Sequence, residues 1–403
     1  MTLYAGRRST LPTTILLFFL LLMWALLPVF AAAQTYAASG NSREPIKIGA
    51  SLSLTGIYRE PSHMIKRGYE LWVQETNANG GLLGRPLELQ IVDDKSDVET
   101  ARRIYQRFVD EQVVDLLFAP YGTPITLAVS EITEKAGYVL IAGGASGMQI
   151  WDRGYKYVFG VYSTADRYFI GFLDIAARHG IQQVSIIHEN NPFNIDAAAG
   201  AVEWAAKFGI ELHGIVDYTP GQTAAVELVR RADPNEKTAL IISTYPDEGH
   251  AILKSLTDLR HTPAAVCMTI APLHPMFAEQ AGDMAEGVFG PSQWEPEERI
   301  PYPGTRQFIS AFLDFAEVPP SYHAGSAFAT GQVFDRAITE TGSLDNAVLR
   351  DYISAMDTVT VIGRFKVDST GKQIGHNPIL IQWQDRKKEI VYPFRLQTAE
   401  PRF

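Results

Sequence analysis

A glycine-rich loop, a His-Glu pair and an Asp-Asp pair are the places in this 403-residue chain where side-chain chemistry could concentrate. The loop Gly143-Gly144-Ala145-Ser146-Gly147 follows an apolar run and could cradle a phosphate or expose a nucleophilic serine. It fits neither use. The G-x-G-x-x-G spacing and the P-loop lysine are absent, and Met148 stands where G-x-S-x-G needs its last glycine. His188-Glu189 begins like a zinc-protease motif, but Pro192 holds the second histidine's position and breaks the helix such a site requires. His63, His213, His250, His261, His274 and His323 lack the spacing of metal ligands. Asp93 and Asp94, adjacent on a strand, face opposite sides, which suits a polar strand end better than a metal or acid–base pair. Cys267, the only cysteine, lies in Ala265-Val266-Cys267-Met268-Thr269 and reads as a buried structural thiol. No catalytic residue, metal ligand or cofactor is therefore expected.

Recognition chemistry is better represented. Tyr121-Gly122-Thr123 sits between an apolar strand and a helix. A hydroxyl and free N–H groups at a helix N-terminus suit a small anion such as a carboxylate. Gly144-Ala145-Ser146 offers a second hydroxyl beside glycines that let the backbone approach closely. Phe193 and Tyr245 follow two later strands and could close over a ligand body. These residues matter because, in open α/β sheets, ligands bind beyond the carboxyl ends of the strands.

The surrounding elements alternate between two periods. Ile46, Ile48, Ala50 and Leu52 alternate as in a strand; Ile65, Tyr69, Trp72 and Thr76 recur as in a helix, which Asn79-Gly80-Gly81 stops. Strand, helix, strand continue through Leu87–Ile91, Val98–Phe108, Val114–Ala119, Ile125–Lys135 and Tyr138–Ala142. After a pause near 155–163 the rhythm restarts with Val184–His188 and runs to a helix at Leu273–Ala281. Further helices are expected at Thr305–Phe315 and Ala327–Thr341. Such alternation implies an α/β fold with two doubly wound parallel-sheet lobes.

Composition agrees with a globular chain, 46% hydrophobic and 20% charged, and a net charge of −10 argues against a nucleic-acid partner. The apolar run Ile15–Val29 between Arg7-Arg8 and Ala31-Ala32-Ala33 has the layout of a secretory signal peptide. It is short of the roughly 20 apolar residues of a membrane span. Residues 1–33 are expected to be removed near Ala33. No cysteine follows the run to carry a lipid anchor.

Several segments together resemble the periplasmic substrate-binding proteins of the leucine/isoleucine/valine-binding type (type I periplasmic binding proteins). They are Ile48–Gly56, Asn79–Arg85 with Asp93-Asp94, Ala285–Val288, and Pro320-Ser321-Tyr322-His323-Ala324 ahead of a helix. The resemblance spans roughly residues 46–384. It implies a three-segment hinge, with crossings near 161–163, 290–292 and 359–363. Lobe 1 is then 45–162 plus 291–358, and lobe 2 is 163–290 plus 359–403. It implies that Tyr121, Gly122, Thr123, Gly144, Ala145 and Ser146 hold a ligand carboxylate, with Phe193 and Tyr245 facing them; Tyr58 and Trp294 are candidates to line the pocket. Amino-acid binders of the family typically carry an acid after the strand at Ala265–Thr269, to meet the ligand ammonium. This chain reads Thr269-Ile270-Ala271-Pro272 there. Either Glu189, Asp166 or Asp247 substitutes, or the ligand carries no ammonium; an aromatic or aliphatic acid is slightly favoured over an amino acid. The implied protein is a monomeric periplasmic receptor that delivers a small carboxylate to the permease subunits of an ABC transporter. A ligand-sensing module and, more distantly, an exported α/β enzyme are the alternatives.

Overall fold

The computed structural model describes residue 2 and residues 44–297 and 299–403. The expected leader at 15–29 and the expected cleavage near Ala33 lie outside the described residues. Two sheets organise the rest. The first is wholly parallel, in the order β2-β1-β3-β4-β5, built from β1 (Ile46–Leu52), β2 (Leu87–Asp93), β3 (Leu116–Phe118), β4 (Leu140–Ala142) and β5 (Val158–Gly160). Its helices are α1 (Arg59–Ala78), α2 (Val98–Asp110) and α3 (Thr123–Ala136).

The second lobe repeats this winding. Helices α4 (Ile170–Arg178), α5 (Pro192–Lys207), α6 (Ala225–Ala232), α7 (Pro246–Leu259) and α8 (Phe277–Ala281) alternate with β6 (Gln183–Glu189), β7 (Glu211–Tyr218), β8 (Thr238–Ser243), β9 (Ala265–Met268) and β10 (Phe289–Ser292). The parallel order β7-β6-β8-β9-β10 is extended by β13 (Ile379–Gln384) and β14 (Lys387–Tyr392), both antiparallel. In each lobe the order reverses beside the first strand, between β1 and β3 and between β6 and β8. Loops at these switch points leave a crevice for a ligand.

The chain returns to the first lobe as α9 (Thr305–Ala316), α10 (Tyr322–Thr341), α11 (Asn346–Ala355) and the hairpin β11 (Asp357–Thr360)–β12 (Gly363–Lys366). Helix α10 lies close on α1 because small residues face the contact. A Cβ at Gly68 would stand 2.3 Å from the Ala324 carbonyl oxygen, and one at Gly331 would stand 2.2 Å from the Trp72 ring.

Three differences from the expected layout have clear causes. Residues 273–281 are not one helix, because Pro272 and Pro275 confine the start to a 3-10 turn at Ala271–Leu273, and the helix resumes at Phe277. Residues 290–292 belong to β10, so the second crossing begins at Gln293. Residues 359–363 do not cross. The hairpin there is tied to the first lobe by bonds from the Thr305 hydroxyl to the Val361 carbonyl (2.7 Å) and from the Val361 amide to Gln332 Oε1 (2.9 Å). Gly371 still accepts from Gly160 of β5 at 2.9 Å, so the third crossing falls within 374–378, just before β13.

The three crossings are stitched together at Gln293. Its Oε1 accepts from the Ser163 amide (2.9 Å) and its carbonyl from His376 Nε2 (2.6 Å), while Gln373 Nε2 donates to the Val161 carbonyl (3.2 Å). All five residues are buried, so these bonds are shielded from bulk water and define the hinge.

Candidate functional site

The loops beyond the two switch points meet. Tyr121, Gly122, Thr123, Gly144, Ala145 and Ser146 from the first lobe line one cavity with Phe193 and Tyr245 from the second. Thr123 opens α3 after Gly122, whose φ of 88° turns the chain from β3 into the helix without a side-chain clash. Its hydroxyl accepts from the Gly147 amide at 3.1 Å and keeps its own proton for a ligand. The loop after β4 must pass close here, since a Cβ at Gly147 would lie 2.4 Å from Thr123 Cγ2. The Ala145 and Ser146 amides have no acceptor among the described residues. Two N–H groups and the Thr123 hydroxyl thus belong to loops that line one cavity, and they are donors of the kind a carboxylate needs.

Aromatic rings form the rest of the wall. Tyr168 meets Phe193 edge to face with centroids 5.3 Å apart, and Phe193 lies 6.4 Å from Tyr245. Burial pushes the phenols of Tyr121, Tyr245 and Tyr322 well above their ordinary range and that of Tyr168 up to about 12. All remain neutral hydrogen-bond donors. The cavity holds only about 20 Å³, room for roughly one water. Any organic ligand must therefore enter through movement of the lobes or of these side chains.

Tyr58 and Trp294 do not line this cavity. Tyr58 stands one ring behind it, 4.6 Å from the Tyr245 centroid and 5.9 Å from that of Tyr121. Trp294 is hinge packing: its ring rests against Phe308 (5.8 Å) and over Gly325 of α10. Its place just after β10, on a crossing segment, directs it into the first lobe. Three lining residues went unread in the sequence, Tyr162, Tyr168 and Tyr322, and Ile270, read there within the run that lacks an acid, lines the cavity too. Tyr162 and Tyr168 lie on or just past an irregular crossing where no periodicity marks them. Tyr322 opens α10 within the Pro320–Ala324 segment and carried a usable signal.

No carboxylate lines the cavity. Asp247 is exposed and faces Arg59 across the cleft mouth at 3.6 Å. Asp166 packs its backbone against Gly200 and has one buried oxygen without a partner, away from the ligand walls. Glu189 ends β6 behind the rings. Burial pushes its carboxyl up, partly offset by hydrogen bonds from Asn191, Thr244 and the Tyr245 amide. Just after β9 the chain places Ile270 in the cavity wall. Its φ of 56° and ψ of −66°, with the Ala271 amide on the Thr269 carbonyl at 2.7 Å, make a γ-turn of the rare positive-φ kind. A β-branched residue in that conformation is strained, and strain of this type is kept where the side chain's position matters.

The paired carboxylates are used structurally. Asp94 accepts from the Ser51 hydroxyl at 2.8 Å and the Ser96 amide at 3.0 Å; Asp93 accepts from the Leu54, Thr55 and Lys95 amides. They fasten the loop after β1.

A family model for periplasmic binding proteins matches residues 45–388. The Leu/Ile/Val-binding protein homolog 7 of Brucella suis is 22% identical over 393 residues, covering 92% of this chain and 97% of that relative. A branched-chain amino acid transporter substrate-binding protein of Streptococcus pneumoniae, solved with isoleucine, superposes with a TM-score of 0.77 at 19% identity, covering 87% of this chain and 100% of that one. A solute-binding protein of Rhodopseudomonas palustris, solved with 3,4-dihydroxybenzoic acid, gives 0.73 at 19% identity, covering 85% and 95%. At such identities the superpositions establish the shared fold of two parallel-sheet lobes. The family match across the described chain shows that this protein belongs to the periplasmic binding proteins, in their Leu/Ile/Val-binding type, whose members bind solutes and are not enzymes.

Proposed function

We propose that this chain is the solute receptor of an ABC uptake transporter and that its ligand is a small carboxylic acid with an apolar or aromatic body and no ammonium group. The carboxylate sits on Thr123, Ser146 and the Ala145 amide; the body packs against Phe193, Tyr245 and Tyr168. The observation that carries this reading is Ile270, an apolar side chain held in the cavity wall among residues that include no carboxylate. An ammonium buried there has no counter-charge, which costs several kcal/mol. Both kinds of ligand occur among proteins of this fold, isoleucine in one and dihydroxybenzoic acid in another.

The ligand favours closure because it touches both lobes, which move about the Gln293 hinge as two units, approximately 45–160 with 293–373 and 161–292 with 374–403. The closed pair of lobes is the surface presented to the permease. The receptor is exported by the leader at 15–29, cut near Ala33, and works as a monomer in the periplasm. Calorimetry with matched ligands tests the ligand class. 4-Methylpentanoate, which is leucine without its ammonium, should bind more tightly than leucine, and 3,4-dihydroxybenzoate should also bind. Tighter binding of leucine would overturn the ammonium-free assignment.

A further inference from the structure

A second cavity, of about 660 Å³, is walled by parts of all three hinge crossings and their flanks: Arg167 and Tyr168 follow the first, Tyr302 the second, and His376 and Asn377 lie on the third. Its volume falls in the range of small-molecule sites, about 300–1,000 Å³. The cleft cavity is far smaller. The two cavities share one wall, Tyr168.

The charge of this hinge cavity is one-sided. Arg167, Arg364 and Arg395 line it and no carboxylate does, although the chain as a whole carries −10. Arg364 is committed to Asp357 through two bonds of 2.7 and 2.5 Å. The other two are not so engaged. Arg167 Nη2 donates to the neutral amide oxygen of Asn377 at 2.7 Å, and its Nε is buried without a partner. Arg395 lies within electrostatic reach of the Tyr302 phenol. Asp174, the acid near the Tyr392 edge, is held by Arg178 at 2.9 Å. Trp204, Leu380, Tyr392 and Leu396 complete the walls with apolar surface. An inorganic anion would leave that surface unused, and a neutral ligand would leave the guanidiniums unmatched.

We propose that the hinge cavity is a second binding site, which takes a small organic anion with a flat apolar body, its charged head at Arg395 and Arg167 and its body against Trp204 and Tyr392. The site is distinct from the cleft and does not depend on which ligand the cleft holds.

The probe is 2-naphthalenesulfonate, titrated calorimetrically into the purified protein. One molecule should bind per chain. Arg395→Gln, an exposed position that leaves the fold intact, should weaken that binding at least tenfold, and Arg167→Gln added to it should weaken it further. Thr123→Ala, which alters the cleft at a residue bonded to the Gly147 amide and absent from the hinge cavity, should leave it unchanged. The proposal is overturned if the wild-type protein does not bind the probe, if Arg395→Gln and the double variant bind it undiminished, or if Thr123→Ala removes binding.

Discussion

The hydroxyls of Ser146 and Tyr168 lie 2.9 Å apart and come from different lobes, Ser146 from the loop after β4 and Tyr168 from the turn that packs on α5. One donates to the other, so the pair holds a single proton free for a ligand. A carboxylate entering the cleft takes that proton together with the Thr123 hydroxyl and the loop amides. Ser146→Ala or Thr123→Ala should each weaken carboxylate binding by about 1–3 kcal/mol, roughly 5- to 150-fold. Tyr168→Phe should cost less, about 1 kcal/mol, because Ser146 is then released to donate alone. Calorimetry on the three variants checks the order; unchanged affinity in both Ser146→Ala and Thr123→Ala would remove these loops from the site.

Ile270 is the specificity test. Aspartate tolerates positive φ better than a β-branched residue does, so Ile270→Asp should fold. It places a carboxylate where the wall is now apolar. The ratio of affinities, leucine over 4-methylpentanoate, should rise at least tenfold, since the anion is repelled and the ammonium gains a partner. A ratio unchanged within twofold would mean that Ile270 does not face the ligand's α-position.

Much of this was legible beforehand because its signals are local. Period-2 and period-3.6 runs mark β1, α1 and β6 directly, and the switch-point loops follow from strand ends, so Thr123, Ser146, Phe193 and Tyr245 could be singled out. The crossings were harder to place. Residues 359–363 look like any extended apolar run, and only the long-range bonds of Val361 to Thr305 and Gln332 assign them to a hairpin of the first lobe. Tyr168 and Trp294 show the same limit from both sides. Both are aromatic residues near crossings, yet one reaches the cavity and the other a helix face, and the difference lies in tertiary packing.

The hinge should be sensitive to acid. His376 is fully buried, and burial lowers its pKa from 6.5 to about 4 against a smaller upward effect of its bond to the Gln293 carbonyl. The unfolded chain therefore takes up a proton below pH 6.5 that the folded chain refuses. Stability is lost as pH falls from about 6.5 to about 4 and levels off below, by on the order of 3 kcal/mol. His323, lowered to about 3 by burial, extends the loss to more acid pH. Thermal melts from pH 7 to 4 should show a shallower decline for His376→Asn than for wild type. Parallel declines would show that His376 titrates normally in the folded protein.

Two of the acid contacts that cross between the lobes, at Asp196 and at Asp247, differ in burial, and the difference sets what each contributes. Asp196 of α5 accepts from the Met148 amide at 2.7 Å, half-buried beside the ligand loop. Asp247 of α7 meets Arg59 of α1 at 3.6 Å with both side chains more than half exposed. A hydrogen bond from a buried amide to a carboxylate contributes about 1.5–3 kcal/mol, whereas an exposed ion pair contributes about 0–1 and is screened by salt. Asp196→Ala should therefore loosen the closed state and weaken ligand binding by about 10- to 100-fold, because the ligand must then close the lobes without that bond. Asp247→Asn should change affinity less than threefold, and that change should vanish in 0.5 M salt. Calorimetry gives both numbers, and small-angle scattering shows whether the ligand-free Asp196→Ala protein is more open than wild type. If Asp247→Asn had the larger effect, closure would be governed by charge at the cleft mouth and not by the half-buried bond to Met148.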